Sequence, residues 1–575
     1  MRGKSISAGS SLPVRALVKR ILCLLLLGTV LVMTFITAGR VSEVLLDSDA
    51  SSNMILGEKL AREGGIFSKT FRYATELFVV DAQIVYSLLF RLTGDWSLVR
   101  MWGAFLMQVL MLAAYGLLAR QSRMSFNLFC ITGAALLLPF SVPYGRIVLF
   151  HNYYTPIVTL DFLAVGLFLG ARRSMAEHAL WWKTALWGGF MALTAFAMGL
   201  AGVRQLMICA APAAVAAVLC AAWGEEGENR LRQELPSLIW AGVLAVSMAL
   251  GYLVNSRVLS GIYHFVSYDT QTLVLADAEK REMIFENLLT ALGFEGNLEL
   301  FTLQGLLSVG SVAAGLIALA LSVMTFLRTR DPEARYISGF FLADLVVITC
   351  VFLFLGSQEF LFTLYYLPVI VWMLPVLGRA DARKAEPESW VPWRLPGGEG
   401  RKLCARQVPA LLACGLLLAN GVFYTGFFRD PKASDGGIAY TGLNVEITDT
   451  VEMLRPVADY MKEQGYTLCY ASYWDGAVIT ELTDGAVRTV PVEATGRKKP
   501  LRYFEWMADA NLWDPGWASA QKACILADFE NLGSYMEDIA EKVEGLEERD
   551  SIGGYTVWEL TDPGAVARLI GAPKE

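Results

Sequence analysis

The sequence predicts a polytopic α-helical membrane protein followed by a soluble α/β domain. Three observations carry this. Of 575 residues, 55% are hydrophobic and only 18% charged, and the apolar residues gather in repeated runs of about 20, the length of a membrane-crossing helix. Lys and Arg concentrate in alternate loops between those runs. The charge is also split along the chain: from Arg429 onward there are 26 acidic and 14 basic residues, a net −12 against −7 for the whole, so the remainder is near +5. A membrane body with basic loops and a separate acidic, water-facing tail accounts for that division.

The first run, 21–38, follows a basic segment with Arg2, Lys4, Arg15, Lys19 and Arg20. No small-residue cleavage site closes it, so it reads as an uncleaved helix with its N-terminus in the cytoplasm. Further spans are expected at about 97–119, 125–142, 155–171, 183–200, 205–223, 236–254, 301–327, 336–356, 360–378 and 408–428, about 11 in all. Arg120 and Arg123, Arg172 and Arg173, Arg328, Arg330 and Arg335, and the basic loop 379–407 all fall on the inside of that arrangement. Positive charge retained on the cytoplasmic side is the expected bias, and an odd number of spans leaves the tail outside. The domains are then a membrane body, 1–429, and an extracytoplasmic α/β domain, 430–575.

In the tail, "GYTLCYASYWDGAVITELTDGAVRTVPV" reads as strand, helix, strand. "KACILADFE" and "GGYTVWELT" read as strands, and "VEMLRPVADYMKEQG" and "SYMEDIAEKVEGL" as helices. Strands alternating with helices predict a layered α/β domain. No GxGxxG fingerprint or phosphate loop occurs, and no basic patch interleaved with aromatics points to nucleic acid. Only three histidines are present and no Cys/His cluster, so no metal-ligand set is legible. Six of the nine cysteines lie in apolar runs, where a thiol acts as a small hydrophobe. Cys469 and Cys524, in the tail, could pair.

The loop at 40–95 carries the most informative residues. It opens on Leu45-Leu46-Asp47-Ser48-Asp49-Ala50, two carboxylates just past the first membrane helix. "SSNMILGEKLAREGG" reads as an amphipathic helix stopped by Gly64-Gly65, and "DAQIVYSLLFRLTG" as a second, more apolar one, both lying in the interface. On local grounds the acidic turn is either a helix cap, since Asp and Ser cap well, or a general base at the membrane surface.

The stretch "DSDASSNMILGEKLAREGG…TELFVVDAQIVYSLLFRLTGDWSLVRMWGAFL" resembles the start of GT-C glycosyltransferases, the lipid-A aminoarabinose transferases and protein O-mannosyltransferases in particular. Asp49, Gly64-Gly65, "LLFRLTG" and Arg100 are the matching pieces. Counting back from Gly64 at the family spacing selects Asp49 as the base, with Asp47 second. The chain departs from the pattern in having Ala50 after Asp49 where Glu is usual. It also lacks the Pro-Pro motif, in whose place "TELFVVDAQ" offers Glu76 and Asp81. Later, "YYLPVIVWMLP", with Tyr365, Tyr366 and Pro368, is similar to a late family segment but lacks its Arg.

The resemblance implies transfer of a sugar from a polyprenyl-phosphate-linked donor to an extracytoplasmic glycan, lipid or protein acceptor. It implies inversion at the sugar carbon and no nucleotide site; a divalent metal is compatible with it but no ligand set is visible. A donor phosphate calls for cations at the outer surface. Lys69, Arg72, Arg146, Arg204 and Arg257 are the candidates, with Tyr366 as a further substrate-binding residue. Arg204 sits between two apolar runs, and His151-Asn152-Tyr153-Tyr154 are polar aromatics of either belt or site character. The alternative is a transporter or flippase using Asp161 and Asp344, carboxylates inside apolar runs. A third reading, a non-catalytic anchor displaying the tail, leaves the acidic turn unexplained.

Overall fold

The computed structural model describes residues 14–74, 77, 79–223, 230–265, 274–296, 298–354, 361–380, 406–431, 449–495, 500–528, 532–541, 543–562 and 564–571. Glu76 and Cys404 lie outside them.

The first half of the membrane body comprises α1 (Val14–Val44), α2 (Ser48–Glu63), α3 (Ala82–Phe90), α4 (Trp96–Gln121), α5 (Phe126–Leu136), α6 (Thr155–Ala176), α7 (Trp181–Leu200) and α8 (Ala211–Trp223). The second half comprises α9 (Arg230–Arg257), α10 (Ala278–Leu292), α11 (Leu303–Arg328), α12 (Pro332–Phe354), α13 (Leu361–Ile370), α14 (Met373–Gly378) and α15 (Gln407–Arg429). Among the described residues, eight helical segments are long and apolar enough to cross a membrane: Leu17–Val44, Trp96–Gln121, Thr155–Ala176, Leu206–Trp223, Glu234–Gly261, Leu303–Arg328, Pro332–Phe354 and Gln407–Arg429. Three of the eleven expected runs take other forms. The 125–142 run gives only the 11-residue α5, since Pro139 and Pro143 remove backbone donors beyond it. The 360–378 run divides into α13 and α14, with Pro368 and Pro375 along it. The 183–200 run forms α7, 20 residues long but tempered by Trp181, Trp182 and Lys183.

Helix α2 begins at Ser48, earlier than its apolar pattern suggests. Asp47, in extended geometry, is its N-cap and accepts from the Ala50 amide at 2.9 Å. Gly64 ends it in the left-handed conformation at φ 73°, which a side chain rarely tolerates. The helix is buried on both sides. Met54, Leu56 and Leu60 are enclosed as its apolar stripe requires, but so are Ser48, Ser51, Ser52, Asn53 and Lys59. Helix α3 covers one side: Tyr86 stands so close that a Cβ on Gly57 would lie 2.6 Å from its own Cβ. The C-terminal region covers the other.

That region holds α16 (Leu454–Glu463), α17 (Tyr473–Leu482) and a seven-stranded mixed sheet. Its strands are β3 (Leu468–Ala471), β4 (Arg488–Ala494), β5 (Leu501–Tyr503), β7 (Ala523–Asp528), β8 (Leu546–Ile552), β9 (Tyr555–Leu560) and β10 (Ile570–Gly571), in the order β10-β5-β4-β3-β7-β9-β8. The central strand β3 runs parallel to β4 and β7. Its alternate side chains enter two cores: Leu468 and Tyr470 join one, Cys469 and Ala471 the other, as the two-residue period requires. Cys469 and Cys524 are register partners on β3 and β7, both buried and with no disulfide between them.

A smaller sheet stitches three distant segments together. Strand β1 (Phe71–Tyr73) pairs with β2 (His264–Phe265) and with β6 (Ala508–Asp509). Ion pairs add to the seam: Lys59 Nζ lies 2.8 Å from Asp509, and Arg488 lies 3.0 Å from Glu58. The deepest is Arg100 of α4, whose guanidinium donates through two nitrogens to Glu481 of α17, both residues almost wholly buried. Ser51 Oγ donates to the same carboxylate at 2.7 Å.

Breaking a buried pair from one side leaves an uncompensated charge, at about 3–5 kcal/mol. Arg100→Leu is therefore expected to loosen the C-terminal region, read as faster limited proteolysis of residues 449–571 in purified protein. Arg100→Leu combined with Glu481→Leu should recover much of the resistance. Wild-type resistance in Arg100→Leu would show that the pair does not fasten the seam.

Candidate active site

The acidic turn lies at one end of the helix bundle. Helix α1 runs into it, and α4 and α6 leave from beside it. Helix α15 ends there, with Arg429 donating to Thr37 Oγ1 at 3.1 Å and Arg40 donating to the Arg429 carbonyl at 3.2 Å. Asp47 is held from three directions. Arg146 Nη2 donates to Oδ2 at 2.7 Å, His151 Nδ1 stands 3.0 Å from the same oxygen, and the Tyr153 hydroxyl donates to Oδ1. His151 Nε2 donates to the Leu45 carbonyl at 2.8 Å, which fixes the ring.

Backbone geometry explains how Arg146 and His151 reach one carboxylate. Residues Tyr144–Phe150 form a π-helix, and the His151 amide bonds to the Arg146 carbonyl at 2.9 Å. With about 4.4 residues per turn, positions five apart fall on nearly the same face, whereas an α-helix would rotate them well apart. Asn152, at φ 60°, then turns the chain so that Tyr153 follows onto the same carboxylate. Asn152 is itself tied to Tyr86 at 3.0 Å and Thr155 at 3.0 Å.

Asp49, in the first turn of α2, is in a different state. It is flanked by protein groups yet keeps a solvent-exposed surface. The Tyr473 hydroxyl, at the start of α17, donates to its Oδ1, and the Trp506 indole is a second hydrogen-bond donor. Burial and the adjacent negative charge of Asp47 push its carboxyl up to about 6, against the opposing pull of Tyr473, Trp506 and Arg146. For Asp47 burial also acts upward, but the charges of His151 and Arg146 and the hydrogen bonds from His151 and Tyr153 outweigh it. Its carboxyl is held well below the usual range. Two carboxylates two residues apart thus differ: one a fixed anion, the other poised to exchange a proton near neutrality. Environments that split neighbouring carboxyl groups in this way mark acid–base sites.

The remaining sequence-predicted residues are distributed around this pair. Arg204 is half-buried between two rings, 5.2 Å from Tyr154 and 5.2 Å from Tyr365, with Nε 3.3 Å from the Tyr365 hydroxyl. Tyr154 follows Tyr153, so Arg204 is joined to the acidic turn by that segment. Tyr366 faces the core instead, bonded to Thr349 at 3.1 Å; its neighbour Tyr365 is the ring that meets Arg204. Arg72 stacks on Trp513 at 5.3 Å. Lys69 and Arg257 are exposed. Asp81 caps α3 by accepting from the Ala82 amide at 2.6 Å, and Glu76 lies outside the described residues. Asp161 on α6 and Asp344 on α12 are buried in the helix bundle, and Asp344 has no hydrogen-bond partner for either oxygen. No group of three His, Cys, Asp or Glu among the described residues is arranged to hold a metal.

His151 and Tyr153 are visible in the sequence only as a polar aromatic segment. Tyr473, Trp506 and Glu481 give no sequence signal at all, because their relation to the acidic turn depends on how the C-terminal region docks, more than 400 positions away.

No family model matches the chain, and no curated protein matches its sequence. Its structure is similar to ArnT from Cupriavidus metallidurans, solved in the apo state, with a TM-score of 0.51 at 12% identity over 96% of this chain and 98% of that one. It is similar also to ArnT bound to undecaprenyl phosphate, at a TM-score of 0.50 and 12% identity over 96% and 99%. A weaker likeness, TM-score 0.45 at 14% identity over 93% and 74%, is to the Archaeoglobus fulgidus oligosaccharyltransferase. Spanning nearly the whole of both chains, the likeness shows that this protein shares the fold of ArnT.

Proposed function

We propose that the chain is an inverting glycosyltransferase that moves a sugar from a polyprenyl-phosphate-linked donor to a hydroxyl-bearing acceptor at the outer face of the membrane. The observation that carries this reading is the divided carboxylate pair: Asp47 locked as an anion, Asp49 solvent-exposed with its carboxyl pushed up to about 6. A base of that strength is matched to operation near neutral pH. The undecaprenyl phosphate bound by the structural neighbour ArnT supports a lipid phosphate as the donor's leaving group.

On this reading Asp49 takes the proton from the acceptor hydroxyl. The acceptor oxygen forms its bond to the anomeric carbon as the bond from that carbon to the phosphate oxygen breaks, and the electron pair departs on the phosphate. Attack from the opposite face inverts the centre. Asp47 anchors Arg146 and His151 beside the base, and the Arg146 guanidinium offsets part of the negative charge of the turn. Arg204, framed by Tyr154 and Tyr365, is the cation best placed to meet the lipid phosphate. Lys69 and Arg257, both exposed, are further candidates, and Arg72 serves packing against Trp513. The basic-loop bias supports an outward site and an outward C-terminal domain, residues 430–575. That domain closes over the acidic turn beside the acceptor's approach. The alternative, transport through Asp161 and Asp344, rests on the buried and unpartnered Asp344 carboxylate.

Asp49→Asn is expected to lower sugar transfer from a polyprenyl-phosphate donor by about 10²–10⁴-fold, with normal expression. Full activity in that variant would rule out the base, and solute uptake that depends on Asp344 but not Asp49 would favour transport. In the wild type the active form of Asp49 is the anion, so kcat/KM should fall as pH drops through about 6. Arg204→Ala should raise KM for the lipid donor by about tenfold or more, the scale of one charge-assisted hydrogen bond. Arg204→Lys should recover part of that loss. An unchanged donor KM in Arg204→Ala would place the phosphate elsewhere.

A further inference from the structure

We infer that Tyr473 and Trp506, both from the C-terminal region, are positioning residues that clamp the Asp49 carboxylate, so that the reactive centre is composite and incomplete without that region. The inference rests on the reading of Asp49 as the general base.

The Tyr473 hydroxyl donates to Asp49 Oδ1, and the Trp506 indole N–H is the second donor. An indole N–H can only donate, and a phenol whose proton is committed to a carboxylate acts likewise. Both therefore favour the anion over the acid. An ionised carboxylate offers roughly four lone-pair positions, so two donors fix its plane and still leave room for an incoming hydroxyl. The other charged and titratable groups facing it are Asp47, Arg146 and Tyr153. Asp47 repels the anion, and of these three only Arg146 favours it.

The clamp is rigid because each donor is tied back to the membrane body. Tyr473 opens α17, and the Ser48 hydroxyl donates to the carbonyl of the next residue, Trp474. The far end of α17 is held by Glu481 on Arg100 and Ser51. The Tyr473 ring packs on Phe504 with centroids 5.4 Å apart. Trp506 leads into β6, which pairs with β1, and Asp509 at the end of β6 accepts from Lys59 at 2.8 Å. A purely structural Tyr or Trp would contribute packing area; these two aim their only polar protons at one carboxylate.

The test is the pH profile of kcat/KM for sugar transfer by the purified full chain in lipid nanodiscs. It compares wild type, Tyr473→Phe, Trp506→Phe and Asp49→Asn. Loss of one donor to a charged group should move the acidic limb upward by about one pH unit. Infrared titration of the carboxyl band that disappears in Asp49→Asn reads the same shift without substrate, and so serves where a variant turns over poorly. A limb and a band unmoved in both Tyr473→Phe and Trp506→Phe would overturn the clamp while leaving Asp49 as base. Wild-type transfer and an unchanged acidic limb in Asp49→Asn would instead overturn the base reading itself.

Discussion

Everything at the acidic turn depends on one buried ion pair made across the two parts of the molecule. Arg100 opens a membrane helix and Glu481 closes a helix of the C-terminal region, and neither has water to fall back on. In such surroundings a lone charge is strongly disfavoured, so each partner obliges the presence of the other. The bidentate geometry also sets direction, because a guanidinium and a carboxylate meeting through two parallel hydrogen bonds leave little rotational freedom. Helix α17 is thereby aimed, with Tyr473 at its opposite end delivered to Asp49. Lys59–Asp509 and the β1–β6 pairing repeat the same logic on the neighbouring face of α2.

The consequence for α2 is unusual for an amphipathic helix. Asp49, Arg62 and Glu63 reach solvent, but much of its polar side is enclosed by a second protein layer. Ser48, Ser51 and Lys59 each find a partner there. Burying polar groups costs least where a partner answers them, as for these three, while Asp49 beside them keeps a solvent-exposed surface.

Much of this architecture was legible in the sequence. The apolar runs, the acidic turn, the stop at Gly64 and the strand–helix–strand of the tail all follow from local patterning, whereas the preference for Asp49 over Asp47 comes from the family spacing to Gly64 that the resemblance supplies. Other features escaped for physical reasons. Proline-interrupted apolar stretches read as spans but fold as short helices, because hydropathy does not register a missing amide donor. Strand β8, "LEERDSI", has an exposed charged edge and no apolar alternation, so no strand was legible there. Asp81 carries a charge in a place that suggested substrate, yet its position before α3 makes it a cap. Tyr366 and Tyr365 differ by one position on a helix, which sends one ring into the core and the other to Arg204. The clamp on Asp49 was out of reach altogether, since no local pattern encodes a contact across 424 positions.

That separation also governs when the site comes into being. A chain is synthesised from its N-terminus at roughly 5–20 residues per second, so Asp49 emerges some tens of seconds before Tyr473. Through that interval the membrane helices can insert while the acidic turn lacks its covering layer. The three-stranded seam β2-β1-β6 closes only when its last strand, near residue 508, has been made. A truncated or half-finished chain therefore carries the carboxylates without the apparatus that sets their chemistry. On the reading of Asp49 as the base, the site is complete only once the final quarter of the polypeptide docks onto the first.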